Sequence, residues 1–76
     1  DSSKAYLLST VTILNKKTGK EMQYTLVSKD EADFKQKKIS VDSPIGRALL
    51  GKEVGDVVNV DVPAGKLELE IKKIER

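Results

Sequence analysis

The chain has no cysteine, no histidine and no tryptophan among its 76 residues. Without cysteine there is no disulfide framework, no thiolate metal site and no cysteine nucleophile. Without histidine the usual general base and the commonest transition-metal ligand are missing as well. Aromatic residues are scarce. Tyr6, Tyr24 and Phe34 are too few and too scattered to form a platform on which nucleic-acid bases stack. No apolar run reaches the roughly 18 residues that a membrane-spanning helix needs, and the opening residues lack a signal-peptide layout. Charge of one sign is absent too: fourteen basic residues stand against twelve acidic ones, interspersed, for a formal net charge of +2. The lysine clusters Lys16-Lys17, Lys35 to Lys38 and Lys72-Lys73 read as a solvated surface rather than a phosphate-binding face.

What remains is an ordinary globular composition, in a length that makes one small domain over residues 1–76. Asp1 to Lys4 is polar and uncommitted, the cut end of a longer chain. Val11-Thr12-Ile13-Leu14 is rich in β-branched residues and runs into a turn at Asn15 to Lys20, where Gly19 is placed to take positive φ. Met22, Tyr24 and Leu26 alternate with Glu21, Gln23 and Thr25, a half-buried strand that completes a hairpin. Residues 28–38 are polar except for Ala32 and Phe34 and read as a loop or short helical turn pinned by Phe34. Ile39 and Val41 bracket a very short strand. After a Gly55-Asp56 turn, Val58, Val60 and Val62 form one strand; Leu67, Leu69 and Ile71, beyond the Pro63-Ala64-Gly65 turn, form its partner. Ile74 breaks the period of two, which predicts a bulge or a strand end there. Two hairpins around one short helix predict an α+β fold, an antiparallel sheet whose apolar face the helix covers.

That helix is the best-punctuated segment. Ser43 suits the N-cap, where its hydroxyl accepts from a free amide of the first turn and contributes about 1 kcal/mol. Pro44 suits the first helical position, where its missing N–H is no loss. Ile45, Ala48 and Leu49 fall on one face, and Gly51 closes the helix in the left-handed conformation. Asp42 stands just before the cap and favours the helix N-terminus by about 0.5 kcal/mol. A structural helix accounts for every residue here except Asp42 and Arg47, so local physics alone leaves these two without a task.

No catalytic constellation assembles. The serines have no histidine base, and no Ser-x-x-Lys pair occurs. Gly51-Lys52 follows a helix instead of a strand and lacks the spacing of a phosphate loop. Asp30, Glu31 and Asp33 offer oxygen ligands of the kind magnesium or calcium takes, but without EF-hand spacing or its glycine they read as a solvated acidic loop. The chain is therefore read as no enzyme, with no catalytic, metal or cofactor residues of its own.

The segment from Ile39 to Lys52, Ile-Ser-Val-Asp-Ser-Pro-Ile-Gly-Arg-Ala-Leu-Leu-Gly-Lys, closely resembles the signature of the C-terminal domain of Gre-type transcript cleavage factors. Val11 to Asn15 resembles that family's first strand, Asp30 to Asp33 its acidic loop, Gly51 to Asp56 its post-helix turn, and Pro63-Ala64-Gly65 with the following strand its last hairpin. The resemblance implies an FKBP-like fold. It also implies docking on bacterial RNA polymerase at the rim of the secondary channel, against a coiled coil of the β′ subunit. The family's polymerase contacts map onto Asp42, Ser43 and Pro44, with Ile45 and Arg47 as neighbours. In the family, an N-terminal helical hairpin supplies acidic residues that help the polymerase bind a second magnesium ion and cleave backtracked RNA. That hairpin has no counterpart in residues 1–76, and its acids do not transfer to Asp30, Glu31 or Asp33. The resemblance thus implies a cytoplasmic, monomeric binding module with no direct contact to nucleic acid or membrane. Two other readings stand beside it: a peptidyl-prolyl isomerase or general protein-interaction module by analogy of fold, and an RNA binder using Lys35 to Lys38.

Overall fold

The alternating pattern becomes a five-stranded sheet in the computed structural model, which describes residues 4–75. Strands β1 (Thr10–Asn15) and β2 (Glu21–Val27) form the first hairpin, and β4 (Val57–Val62) and β5 (Gly65–Glu75) form the second. Between them lie the short strand β3 (Lys38–Ser40) and helix α1 (Pro44–Leu49). The spatial order is β3-β2-β1-β5-β4, so the hairpins join through β1 and β5, and β3 and β4 are the outer strands. Of the reading of Asp1 to Lys4, the first three residues lie outside the described part. Lys4 itself bridges to Glu53.

The sheet is mixed, which corrects the expectation of an antiparallel one. Strands β2 and β3 run parallel, with Leu26 opposite Ile39. The cause is the link between them. Antiparallel neighbours can be joined by a tight turn, whereas parallel ones need a crossover. Residues 28–37 provide it with two 3-10 turns, Lys29–Glu31 and Phe34–Gln36. Phe34 does not pin this link by burial: it is 73% exposed and stacks on Tyr24 with ring centroids 6.1 Å apart.

One face of the sheet carries the core. Val11 and Ile13 of β1, Tyr24 and Leu26 of β2, Val58 and Val60 of β4, and Leu69 and Ile71 of β5 are all buried there, each set two residues apart. Burying each large aliphatic side chain contributes about 1.5–3 kcal/mol. Ile74 joins the same face because of the bulge that its spacing predicted. The β1–β5 register shifts between Thr12, opposite Lys73, and Ile13, opposite Ile71, so that Lys72 is the extra residue. β5 nevertheless continues to Glu75. The other face is polar: Thr10 and Thr25 hydroxyls pair across β1 and β2 at 2.9 Å.

Helix α1 has only six residues and is marginal alone. It is held by Leu49, which is fully buried, with Ile45 and Ala48 half-buried against the same core. At its end Gly51 has φ of +80°, a conformation glycine takes without a Cβ penalty.

Candidate functional site

The approach to α1 is a tightly bonded corner. Ser43 N–H donates to the Ser40 carbonyl at 3.0 Å, closing a turn. The Ser43 hydroxyl donates to the same carbonyl at 2.6 Å and accepts from Gly46 N–H at 3.0 Å, so one side chain both locks the turn and caps the helix. Ser40 Oγ accepts from Asp42 N–H at 2.9 Å. Gly46 lies against the Ser40 carbonyl with no room for a methyl group. Because Ser43 serves two bonds at once, Ser43→Ala is expected to destabilise the domain by about 1–2 kcal/mol, at the upper end for a lost cap. A thermal melt checks this; a change below about 0.3 kcal/mol would mean that the corner holds without the hydroxyl.

This corner forms one wall of an apolar groove of about 300 Å³. Ser43, Pro44 and Ile45 line it from the helix start, Ile39 from β3, Val62 and Pro63 from the end of β4, and Phe34 from the second 3-10 turn. The groove thus opens between the two outer strands of the sheet, at the N-terminal end of α1.

Of the residues singled out from sequence, the structure brings Ser43, Pro44 and Ile45 together in the groove wall. Asp42 and Arg47 do not line it. Both are exposed, flanking the wall in sequence, and among the described residues the Asp42 carboxylate has no hydrogen-bond or ion-pair partner. Sequence reasoning missed Phe34 as a surface residue, as well as Ile39, Val62, Pro63 and the turn role of Ser40. The one available signal was Phe34 itself, a lone aromatic in a charged segment, where an apolar residue has little local company to bury it. For Val62 and Pro63 no local signal exists, since a strand end and its turn look the same whether or not a groove opens beside them.

Asp33 and Glu31 of the acidic loop are bonded to groups of the loop itself. Asp33 accepts from Lys35 N–H at 3.0 Å and from Gln36 Nε2 at 3.1 Å, while Glu31 accepts the Ser28 hydroxyl at 3.2 Å. Among the described residues no group of three acidic side chains is arranged to hold a metal ion. Nor is any helix there long and apolar enough to cross a membrane.

Comparison with known proteins identifies the class. The family described as "Transcription elongation factor, GreA/GreB, C-term" matches residues 1–76. The chain is 55% identical over 71 residues to the transcription elongation factor GreA of Amoebophilus asiaticus, covering 93% of this chain and 45% of that protein. It is 54% identical over 76 residues to that of Flavobacterium johnsoniae, covering all of this chain and 48% of the relative. Among solved structures, the GreA factor homolog 1 of Thermus thermophilus superposes with a TM-score of 0.85 at 36% identity, over 100% of this chain and 51% of that one. A GreA/GreB elongation factor from Nitrosomonas europaea gives 0.84 at 30% identity, over 100% and 64%. The chain belongs to the GreA/GreB family of transcription elongation factors and matches its C-terminal domain. It spans about half the length of the curated relatives it matches.

Proposed function

We propose that this domain docks on bacterial RNA polymerase, at the secondary-channel rim and against the β′ coiled coil, through the corner at Asp42 to Pro44 and the adjoining groove. The observation that carries this reading is the juxtaposition of the rigid Asp42-Ser43-Pro44 corner with an open apolar groove, in a member of a transcription elongation factor family. A preorganised surface loses little freedom on binding, so even a small patch contributes useful affinity. The partner presents a donor or cation to the unpaired Asp42 carboxylate and an apolar side chain to Pro44, Ile45 and Phe34, with Arg47 at the edge. On this reading the domain is a cytoplasmic, monomeric accessory module without a resident cofactor. Cleavage of backtracked RNA, with magnesium held in the polymerase, is served by the part of such a factor that residues 1–76 do not include.

The test is binding to RNA polymerase core enzyme, expected at about micromolar affinity because the patch is smaller than a standard interface. Asp42→Ala removes no hydrogen bond that the side chain makes within the domain, so folding should persist while binding weakens about tenfold, or 1.4 kcal/mol. Unchanged binding by folded Asp42→Ala and Pro44→Ala variants would place the docking surface elsewhere.

A second reading draws on the same groove. A sheet wrapped on one short helix is what an FKBP-like domain has, and an apolar groove is where such a domain would hold a prolyl peptide. The walls here carry no tryptophan and a single aromatic ring, so turnover of a prolyl tetrapeptide is not expected; acceleration above the uncatalysed rate would establish it.

A further inference from the structure

Only one side chain in this protein carries sulfur. Met22 is the single methionine, and the chain has no cysteine and no tryptophan, so its thioether is the one group that a mild oxidant attacks readily. Polymerase docking gives it no task. Met22 lies on the inner face of β2, opposite Ile13 of β1, half-buried at the margin of the core. A sulfur at the margin is open to a molecule as small as hydrogen peroxide, whereas one packed in the centre is shielded.

The second observation is what bonds to this sulfur. Tyr24, two residues along the same face, is only 6% exposed, and its hydroxyl donates to Met22 Sδ at 3.4 Å. That sulfur is the hydroxyl's one hydrogen-bond partner among the described residues. A thioether is a weak acceptor, and a buried phenol normally finds a better one. The ring of Tyr24 in turn stacks on Phe34, with the two planes 30° apart. Phe34 lines the apolar groove with Pro44 and Ile45. A continuous series of contacts thus runs from the oxidisable sulfur to the lining of the groove.

We propose that Met22 is a modification site for hydrogen peroxide, and that its oxidation resets the groove through Tyr24 and Phe34. A sulfur lone pair attacks one peroxide oxygen, and the S–O bond forms as the O–O bond breaks. The leaving oxygen takes up the proton of the transferred one and departs as water. Sulfur loses two electrons and the peroxide gains them, giving methionine sulfoxide, which sulfoxide reductases return to the thioether. The Tyr24 contact survives neither orientation of the new oxygen. Facing Tyr24, an S–O bond of about 1.5 Å within the 3.4 Å contact leaves about 1.9 Å between the oxygens, where an O–H···O bond needs about 2.7 Å. Facing away, it leaves an electron-poor sulfur that no longer accepts. The phenol must then turn to reach the new oxygen, because a buried hydroxyl without a partner is costly. The ring moves in both cases, and Phe34, stacked on it and largely exposed, moves with it. The inference requires the geometry of the groove and not its occupant.

The test treats the 76-residue chain with hydrogen peroxide and follows it by intact mass and by NMR. One oxygen should be added. The ring resonances of Tyr24 and Phe34 and the methyls of Ile45 should shift while those of Val11 and Leu69 hold, and methionine sulfoxide reductases should restore the first spectrum. Met22→Leu should gain no oxygen and show no shift. Tyr24→Phe keeps the stack and removes the hydroxyl, so its Met22 should still oxidise but leave Phe34 nearly unmoved. Unmoved Phe34 and Ile45 in the fully oxidised parent chain would overturn the proposal, as would equal shifts in oxidised Tyr24→Phe. So would a sulfur that stays unoxidised under conditions that convert free methionine, or an oxidised chain that unfolds, since Met22 would then be a core residue and nothing more. Polymerase is absent from every arm, so failure of the docking reading leaves this test untouched.

Discussion

Leu49→Ala is expected to lower the stability of this domain by about 3 kcal/mol. Leu49 is fully buried on the single helix, and the helix is too short to persist without its contacts. Truncation removes the transfer free energy of the lost carbons and leaves a void between α1 and the sheet, and the two terms add. A domain of this length has about 4–11 kcal/mol in total at the usual stability per residue, so the loss is a large share. The melting temperature should fall by more than about 12 °C, since each kcal/mol shifts a small domain by about 4–8 °C. Circular dichroism melts of the two chains check it. A fall of under about 4 °C would show that α1 repacks on Ile45 and Ala48 and that Leu49 is not the anchor. The same side chain matters to docking indirectly, because Pro44 and Ile45 belong to the helix that it holds in place.

Phe34→Ala should do the reverse, leaving the fold nearly intact and weakening polymerase binding at least tenfold, about 1.4 kcal/mol. The ring is 73% exposed, so its loss removes little buried area; its stack on Tyr24 contributes about 0.5–1.5 kcal/mol. In the docking reading, however, it is the one aromatic ring lining the groove, which it shares with Pro44 and Ile45. Aromatic anchors that become fully desolvated carry a disproportionate part of interface energy. Titration of core polymerase with the variant, alongside its thermal melt, separates the two effects. Equal affinity for variant and parent would confine the docking surface to the Asp42-Ser43-Pro44 corner and leave the groove without a part in it. A melting temperature lowered as far as that of Leu49→Ala would instead make Phe34 a structural residue.

The readable parts of this protein are those governed by residues a few positions apart. Strand faces follow from a period of two, so Tyr24 and Leu26, Val58 and Val60, and Leu69 and Ile71 could be assigned to an inward face before any partner strand was known. The broken period at Ile74 announced the bulge at Lys72 for the same reason. Ser43 and Pro44 named the helix start because a hydroxyl at the cap reaches an amide three residues on. Phe34 was misjudged as an anchor because burial depends on what else arrives nearby, and here only Tyr24 does.

By itself, then, the amino-acid sequence determined which residues of the alternating strands face inward, where α1 begins and ends, and the family to which the chain belongs. All three rest on local spacing and identity. Only the tertiary structure decided that β3 lies parallel to β2, that Phe34, Pro44 and Pro63 share one groove, and that the Ala5 backbone pairs with Gly51 and Lys52. Such neighbours are far apart along the chain. Which distant strands and turns meet is set by how the whole sheet closes around its core, and no short-range pattern records that.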